Sequence, residues 1–439
     1  IEFMLQTILH QLWNQRRQNG WIFLELLVVS FFLWTVIDPI YVLTANRAID
    51  RGYNPERLYV VNIGMYDETN GNFDPDMASD SMNLVAYTRI ARIVREQPEV
   101  ECWTISGNRS FPCSNSWSGT QIYADTASLH KREGFVHAQS YCFVATDGSN
   151  MLHTYGMKDA RTGGDIQVPE QVEDKAFISE RLAQRLFGTT DAVGKKVYQG
   201  EDALEVAGVF RDFKHRDYEQ PYPLIVTMYS EMYGSQYMPW WYNFVIRLKP
   251  GVDVSAFKQR FQQEVAPQLS VGNFYFDSLK EFSELSEAYA MKSGVTNKLR
   301  LQYALTGFAL LCIFLGMVGT FWIRSNARRG EIGVMRSMGA SQGCIVRQFL
   351  IEAWLLLTVA FVLVIPFLLY HAHVNGLYTV EMNDKFVPNP AYGQNRFGFH
   401  FTVVLALSYI ILMLIALVGT YIPVRRAART LPVEALREE

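Results

Sequence analysis

The sequence predicts a membrane protein in which four transmembrane α-helices accompany one large α+β domain, placed on the outer side between the first and second spans. Two observations predict this fold class. Four segments are apolar over about 20 residues, the length that a helix needs to cross a bilayer, and a long block of mixed helical and strand patterns separates the first from the second. The 439 residues have 49% hydrophobic content and a net charge of −3, so no overall charge points to nucleic acid or to an acidic substrate.

Two apolar elements of different kinds come first. In residues 4–20 the apolar side chains between Leu5 and Leu12 recur at helical spacing, which predicts an amphipathic helix on the inner membrane surface. Packing of this helix against the other spans would give the same pattern, and both interpretations stay open. Residues 21–44 form the first predicted span. Its apolar part is too long for a cleavable signal peptide, so we expect it to stay as an anchor.

The block of residues 45–285 has the patterns of both helices and strands. One unit, "NLVAYTRIARIVREQPEVECWTISG", runs from a helix into a strand, and a second, "NFVIRLKPGVDVSAFKQRFQQEVAP", runs from a strand into a helix. Because these two units flank a long middle segment, we expect two subdomains, with the second inserted into the first at about residues 130–235. Residues 286–300 are compatible with a helical stalk that leads into the next span.

Three further spans are predicted at residues 301–323, 349–370 and 401–424. Lys and Arg in short flanks resist translocation and therefore mark the cytoplasmic side. Arginines are concentrated before the first span, in the loop 324–348 and in the tail 425–439, whereas the loop 371–400 carries few basic residues. Both termini and the loop 324–348 are therefore expected in the cytoplasm, and the loop 371–400 and the large domain outside.

Ionisable residues within spans are often functional. Glu25 and Glu352 lie about one turn from the predicted inner boundary, which favours snorkelling of the side chain or an intersubunit hydrogen bond. His371 and His373 have a spacing that a metal ion tolerates, but they have no Cys or carboxylate companions nearby. The sequence therefore favours no metal site there.

Two polar segments of the outer block invite comparison with known sites. "GTTDAVGKK" differs from a Walker A loop, because five residues rather than four separate Gly188 from Gly194 and because Lys196 stands where a hydroxyl is needed. A turn is the better interpretation. "RDFKHRDYE", residues 211–219, has the composition of an acid–base cluster, but alternating charge is more typical of a solvated edge.

Five cysteines give a modest signal. Cys102 and Cys113 lie on either side of a turn-rich stretch of the outer block, and an oxidising compartment would allow a disulfide between them. Cys142 is a third cysteine in the same block, so one would stay unpaired. The sequence leaves open whether the bridge forms.

The loop between the second and third spans contains "RRGEIGVMRSMGAS", which is charged and helix-prone. Gly330 and Gly339 bracket a predicted helix. Glu331 in its first turn and Arg336 in its last turn both favour the helix dipole. The apolar residues at a spacing of three are Ile332, Met335 and Met338. Such a helix can dock into a groove of a partner and pass its movement to both spans. An interfacial helix that only satisfies the membrane boundary is the alternative.

Several segments of the chain are similar to one known family. The cytoplasmic "RRGEIGVMRSMGASQGCIVRQFLIEA" and the tail "IPVRRAARTLPVEALREE", together with "FISERLAQRLFG" and "VAGVFRDFK" in the outer block, resemble the MacB/FtsX-like family of ABC transporter permeases. The resemblance covers nearly the whole chain and implies a four-span inner-membrane protein with a large periplasmic α+β domain and cytoplasmic termini. The chain departs from the family at Leu431, where an acidic residue usually precedes Pro432, and in lacking the ATPase fused to MacB.

The resemblance also implies partners and a contact site. ATP hydrolysis is expected in a separate ABC ATPase, present in two copies and holding ATP and Mg²⁺. The chain itself is expected to have no cofactor, no metal and no catalytic residue. The other expected partners are a second permease, in a homodimer or a pseudo-symmetric heterodimer, the lipid bilayer, and a periplasmic adaptor, channel or client protein; nucleic acid is not expected. The residues implied to couple to the ATPase are Glu331, Ile332, Gly333, Met335, Arg336, Met338 and Gly339.

Two functional classes follow from these expectations. In the first, the chain is a non-hydrolytic permease subunit that transmits ATP-driven conformational change to its periplasmic domain, a process called mechanotransmission, and supports export or efflux of a periplasmic client. In the second, it is an FtsX-like transmembrane signalling scaffold that regulates a periplasmic partner such as a cell-wall hydrolase. The two classes share the coupling step and differ in the outer client, which the sequence does not identify.

Overall fold

The computed structural model describes residues 16–107, 111–114, 118–235, 238–378 and 390–429. Contacts divide the chain into two units. The outer unit is Ala45–Val295. The membrane unit contains the greater part of each of the four longest helices. Of the amphipathic helix predicted for residues 4–20, only residues 16–20 are described, and they belong to the first long helix.

Helices form the membrane unit and cover the sheet of the outer unit. In chain order they are α1 (Arg16–Ala48), α2 (Asp80–Arg95), α3 (Thr126–Lys131), α4 (Met151–Tyr155), α5 (Glu180–Phe187), α6 (Met238–Trp241), α7 (Val254–Arg260), α8 (Phe282–Lys292), α9 (Val295–Ala327), α10 (Arg329–Ser337), α11 (Gln342–Asn375) and α12 (Pro390–Ala427). A π-helical turn at Phe261–Val265 and a 3₁₀ turn at Ala266–Leu269 continue α7.

The transmembrane helices are α1, α9, α11 and α12. Each contains a stretch long and apolar enough to cross a bilayer, and each helix extends beyond the predicted apolar segment at both ends. Pro39 lies inside α1 and Pro366 inside α11. Such prolines are tolerated in membranes because neighbouring helices and side chains satisfy the freed backbone groups. The predicted fold class, four spans with an α+β domain between the first and the second, is confirmed.

The apolar core of the membrane unit lies mainly between α1, α11 and α12. Its fully buried members include Leu33, Trp34, Leu357, Val364, Val404, Leu412 and Ala416. Ile313 and Met317 of α9 also belong to this core, but most of the apolar surface of α9 is exposed. That surface is suited to lipid or to another transmembrane helix.

The described part of the outer unit is built on one sheet of ten strands. They are β1 (Leu58–Met65), β2 (Val100–Gly107), β3 (Gly119–Tyr123), β4 (Val136–Val144), β5 (Lys175–Ser179), β6 (Lys196–Gln199), β7 (Asp202–Phe210), β8 (Leu224–Tyr229), β9 (Asn243–Leu248) and β10 (Phe274–Glu281). Their order is β10-β1-β9-β2-β4-β3-β6-β7-β5-β8, and β4 also pairs with β8.

The first half of this sheet is an open antiparallel layer. Strands β10, β1, β9, β2 and β4 pair antiparallel in that order. Helix α2 packs on one face, where Tyr87 and Ile90 join Phe244 and Ile246 of β9 in one buried cluster. The hydroxyl of Ser79 caps α2 by accepting a hydrogen bond from the Met82 amide. Helix α2 followed by strand β2 agrees with the helix-to-strand pattern of "NLVAYTRIARIVREQPEVECWTISG".

The second half of the sheet closes on itself. Strands β4, β3, β6, β7, β5 and β8 pair in that order, and the parallel pairing of β4 with β8 completes a six-stranded barrel. Its interior holds apolar side chains that include Ile122, Ala138, Ile178, Val206 and Ile225. Because β4 pairs with β2 as well as with β3 and β8, it belongs to both the open layer and the barrel.

The predicted stalk of residues 286–300 contains a break. Helix α8 ends at Lys292 and α9 begins at Val295. Gly294 between them has a φ of +74°, a conformation that favours glycine. The predicted stalk is therefore two helices and not one continuous helix.

Candidate functional site

Helix α10, between the second and third spans, ends at a glycine, and the helix that follows it begins at a serine cap. Gly339 has a φ of +93°, and its amide donates to the Arg336 carbonyl while the Ala340 amide donates to that of Met335. This is a glycine-dependent helix ending. Ser341 then accepts a hydrogen bond from the Cys344 amide at 3.2 Å and starts α11. The helix was predicted to start after Gly330, but Gly330 lies inside it.

Arg328 connects the start of α10 with the third span. Its Nε donates to Glu331 at 2.7 Å, and its Nη1 donates to both oxygens of Glu352 at 3.0 and 3.2 Å. The guanidinium also lies 4.6 Å from the centre of the Phe349 ring. Arg328 and Glu352 are both buried. Glu352 is therefore paired within the chain by an arginine 24 positions away, so the expectation that it snorkels is wrong, and the alternative of an intersubunit hydrogen bond stays a prediction.

The apolar side of α10 faces the chain itself. Ile332 is 3% exposed and packs with Ile345 and Phe349 of α11 and with Val424 of α12. Met335 is partly buried against the same cluster. The expected ridge of Ile332, Met335 and Met338 is therefore not one surface. At 100° per residue, positions six apart point about 120° away from each other, so Ile332 and Met338 face different directions.

A different face of α10 is open to a partner. Glu331, Val334 and Met338 lie within about 60° of one another around the helix. Val334 is 45% and Met338 76% exposed, and half of the Glu331 side chain is accessible. Gly333 is buried, and Gly339 is exposed at the helix end. Of the residues expected to couple to an ATPase, Glu331 and Met338 are thus the accessible side chains, and Val334 joins them.

Arg336 has a partner within the chain. Its Nη1 donates to the Ala428 carbonyl at 2.6 Å, just beyond the carboxyl end of α12. A cation at this position is favoured by the helix dipole. Through Arg328 and Arg336 together, α10 is attached to both the third and the fourth span.

In the outer unit, residues 211–219 form a loop that holds the carboxyl end of α1. Lys214 is 1% exposed, and its Nζ donates to the carbonyls of Asn46 and Ile49 at 2.8 and 2.9 Å. Asn46 in turn donates from Nδ2 to the Tyr218 carbonyl at 3.0 Å. Gly52 approaches this loop so closely that a Cβ would lie 2.0 Å from the Asp212 carbonyl oxygen. We call residues 211–219 the clasp.

The clasp also contacts α8 and the residue that follows it, on the way to the second span. Ser286 donates to Asp217 at 2.8 Å, and Asp217 pairs with Arg51 at 2.7 Å. The Tyr218 hydroxyl lies 3.1 Å from that of Ser293. One loop therefore binds both polypeptide segments that connect the outer unit to the first two spans.

Most of the clasp is buried or partly buried, although Arg211 at its start is exposed. Lys214, His215 and Glu219 are each 1% exposed, so the interpretation of "RDFKHRDYE" as a solvated edge is wrong. Burial raises the pKa of Glu219 to about 7, although Arg216 at 3.2 Å opposes this shift. Burial likewise lowers the pKa of Lys214. The cause of the misinterpretation is that the partners of these side chains lie on elements distant in sequence.

The cysteines of the outer unit are free thiols. Cys102 lies on β2 opposite Arg247 of β9. Cys113 is buried with its Sγ 3.4 Å from the Tyr53 hydroxyl, and burial raises its pKa to about 11. The Cys102–Cys113 bridge, which the sequence left open, is absent from this structure.

The structure also bears on the Walker-like segment and on the question of a metal site. Gly188 and Gly194 have φ of +68° and +80° and lie in the turns between α5 and β6, where Ala192 alone is fully buried. Within the described ranges, no group of three His, Cys, Asp or Glu side chains is arranged to hold a metal ion.

A buried ionisable pair inside the membrane unit was missed by sequence reasoning. His400 of α12 lies 2.5 Å from Asp38 of α1, and the Tyr378 amide donates to the other Asp38 oxygen at 2.8 Å. Both side chains are buried. The available signal was an acidic residue inside an apolar span, which is costly unless it has a partner. This pair fixes α1 to α12.

Two family descriptions match the chain. Residues 40–264 match the MacB-like periplasmic core domain, and residues 303–432 match the FtsX-like permease C-terminal domain. The first match covers most of the outer unit, including the clasp, and the second covers most of α9 and all of α10, α11 and the described part of α12.

The chain belongs to the MacB/FtsX-like family of ABC transporter permeases.

Relatives within this permease family include the macrolide export ATP-binding/permease protein MacB of Chromobacterium violaceum. It is 24% identical over 301 residues, which are 66% of this chain and 42% of that protein. The MacB of Salmonella paratyphi A is 23% identical over 297 residues, again with 42% of its length covered. The chain thus spans less than half the length of these curated relatives. The crystal structure of the periplasmic region of MacB from Actinobacillus actinomycetemcomitans has a TM-score of 0.32 and 12% identity, covering 56% of this chain and 95% of that one.

Proposed function

We propose that this permease transmits ATP-driven conformational change from an ABC ATPase at its cytoplasmic face to its outer unit, and that it thereby supports export or efflux of a client outside the inner membrane. In this proposal the chain does not hydrolyse ATP. Two ATPase subunits hold ATP and Mg²⁺ and bind a dimer of permeases, whose termini lie in the cytoplasm. The relatives' names attach macrolide export and ATP binding to those longer proteins, and the client of this chain is a separate question.

At the cytoplasmic end, the attachment of α10 supports the proposal. A helix connected to the rest of the chain only through the backbone at its two ends would tilt when a partner displaced it. Here Arg328 is buried between α10 and Glu352, and Arg336 binds the end of α12. The packing of Ile332 against α11 and α12 adds apolar contact. A displacement of α10 is therefore expected to move the third and fourth spans with it, because packed elements shift as units.

At the outer end, the clasp is the observation that carries the proposal. Lys214 and Asn46 fix the carboxyl end of α1, and Asp217 and Tyr218 contact Ser286 and Ser293 next to the second span. The two connections are thus fastened to one loop of the outer unit. A change in the separation of the first two spans would act on this loop and, through it, on the outer unit.

The test uses the full chain with the ATPase that co-purifies with it. Lys214→Met keeps most of the buried side-chain volume but removes both hydrogen bonds to the end of α1. Hydrogen exchange of residues 282–293 is compared with and without ATP and vanadate. We expect a nucleotide-dependent change in the wild type that is lost in Lys214→Met, while ATP hydrolysis continues.

The matched control is Lys249→Met. Lys249 also donates to a carbonyl, that of Pro98 at 2.6 Å, but it is exposed and distant in sequence from the clasp. The Lys249→Met variant should keep the nucleotide-dependent change in hydrogen exchange. An unaltered change in Lys214→Met, or no nucleotide effect on exchange in the wild type, would exclude transmission through the clasp.

The signalling alternative shares this transmission and differs in what the outer unit contacts. The FtsX-like match of residues 303–432 keeps it in consideration. Co-purification of a cell-wall hydrolase with the outer unit would favour signalling, and co-purification of an outer-membrane channel or adaptor would favour export.

A further inference from the structure

The six-stranded barrel is filled by apolar side chains in one part and open in another. Its apolar cluster includes Ala138 of β4 and Ile225 of β8. Side chains alternate along a strand, so residues four apart share a face. Cys142 therefore lies on the same face of β4 as Ala138, and Tyr229 on the same face of β8 as Ile225. Cys142 and Tyr229 both line a cavity of about 660 Å³. The cavity therefore continues the interior of the barrel beyond its apolar cluster, and its volume suits a small organic ligand.

Aromatic rings form one wall of this barrel mouth. Tyr229 ends β8, Tyr233 lies in the loop that follows, and Trp241 and Tyr242 connect α6 with β9. The rings of Tyr229 and Tyr233 meet nearly perpendicular with centres 6.4 Å apart. Tyr229, Tyr233 and Trp241 are nevertheless 44%, 63% and 50% exposed. Exposed aromatic faces gathered around a cavity are the arrangement that binds ammonium groups through cation–π attraction.

The wall is held in place by its surroundings. The Tyr242 hydroxyl accepts a hydrogen bond from the Tyr233 amide at 3.0 Å, and the Tyr242 carbonyl accepts one from the Tyr87 hydroxyl at 2.8 Å. Met232 and Met238, which lie between Tyr229 and Trp241 in the chain, are buried in the core beneath α2. The rings are therefore positioned before any ligand arrives, which lowers the entropic cost of binding.

Charge at the rim selects the sign of the ligand. The described lining residues include three carboxylates, Glu173, Asp174 and Asp202, and one cation, Lys175. All three carboxylates are exposed. An acidic rim around a concave site raises the local concentration of cations and repels anions. Aromatic faces and carboxylates together favour a ligand that is both positively charged and partly apolar.

We propose that the mouth of the barrel is a binding site for a small organic cation, whose ammonium group lies over the aromatic wall while the rim carboxylates balance its charge. A neutral apolar ligand would gain no attraction from the carboxylates, and an anion would be repelled by them. Binding here is separate from coupling to an ATPase, so a failure of either one leaves the other intact.

The experiment titrates the full chain, in a neutral maltoside detergent, with benzyltrimethylammonium by isothermal calorimetry. Benzyl alcohol is the neutral comparison and benzenesulfonate the anionic one. We expect saturable binding of the cation alone, weakened by added salt because exposed charges are screened. Equal binding of all three compounds, or saturable binding of none, would overturn the proposal.

Variants locate the binding. Trp241→Ala should weaken cation binding by about fivefold or more, and Asp202→Asn should weaken it less and reduce its salt dependence. Trp240→Ala is the matched control, since Trp240 is 64% exposed and does not line the cavity. Asp202 lies at an exposed strand end, so Asp202→Asn still decides the question if Trp241→Ala does not fold. Unchanged affinity in both cavity variants, or an equal loss in Trp240→Ala, would contradict the proposal.

Discussion

Single buried charges at the two ends of the proposed path are stabilised in different ways. Arg328 and Glu352 form a buried ion pair, and removal of one member typically costs about 3–5 kcal/mol because the other charge stays buried. Lys214 instead donates to two backbone carbonyls at the end of α1, where the negative end of the helix dipole favours a cation. The first arrangement joins two side chains, and the second joins a side chain to a helix as a whole.

Glu219 gives the clasp a predicted dependence on pH. Its pKa is raised from 4.5 to about 7 by burial, so the folded chain retains a proton that the unfolded chain has lost. Between about pH 4.5 and 7 the folded state binds more protons, and the free energy of unfolding therefore falls as pH rises. The fall is roughly 3 kcal/mol at most. Glu219→Gln should flatten this dependence in chemical unfolding followed across that pH range.

The control for this prediction is Glu201→Gln, which changes an exposed glutamate on the turn between β6 and β7. It should leave the pH profile of the wild type unchanged. If Glu219→Gln kept the wild-type slope, another group would be the source of the pH dependence.

The burial of residues 211–219 was beyond sequence reasoning. Lys214 finds its acceptors 168 and 165 positions earlier, and His400 finds Asp38 362 positions earlier. A local pattern of alternating charge looks the same whether the loop is solvated or covered. The cost of burying these charges is offset only by groups that the tertiary fold supplies.

At the scale of elements, α10 shows which part of a helix can be predicted locally. Its existence follows from Gly339 after its last turn and from charges that suit the dipole, and both are visible in the sequence. Its orientation does not follow, because a nine-residue helix between two spans can turn its apolar residues toward its own chain or toward a partner. The structure places Ile332 against α11 and α12, so the accessible face contains Val334 and Met338.

The accessible face of α10 predicts a specific loss of ATPase binding. Val334→Asp combined with Met338→Asp should release the ATPase from the immobilised permease, because a carboxylate is costly to bury in an apolar contact. Insertion and thermal stability should stay close to wild type, since both positions are exposed. ATPase retention is measured at two salt concentrations.

Two further variants interpret that result. Gln342→Asp adds a charge at an exposed position of α11 outside this face and should retain the ATPase. Ile332→Ala should instead lower stability by about 2–5 kcal/mol, as expected for a buried isoleucine. Full retention by the double variant would show that an ATPase does not use this face.

At the scale of the whole molecule, the outer unit has its own cores. The apolar clusters beneath α2, around Phe143 and Phe177, and inside the barrel all consist of residues of the outer unit. A domain with its own core is generally able to fold alone. The sequence predicted two subdomains in this region; it did not predict the closed barrel, because closure depends on the pairing of β4 with β8, which no local pattern reveals.

Residues 45–295 expressed without the spans are therefore expected to be soluble and to unfold cooperatively. The clasp should persist in this fragment, since Asn46, Lys214 and Ser293 all belong to it. Circular dichroism on heating and the pH profile of stability check the prediction. If the fragment melted without cooperativity, the spans would be needed for the fold of the outer unit. If its free energy of unfolding did not fall between about pH 4.5 and 7 as in the wild type, the spans would be needed to form the clasp.

The double membership of β4 has a consequence for attempts to shorten the protein. Ile105, Ser106 and Gly107 of β2 pair with β4, which is also part of the barrel. Excision of the barrel would remove this partner and leave backbone donors and acceptors of β2 open to solvent. An unpaired strand border of this kind recruits strands from other molecules. The trimmed protein would therefore tend toward self-association, which makes the barrel a cover for the sheet as well as a container for a ligand.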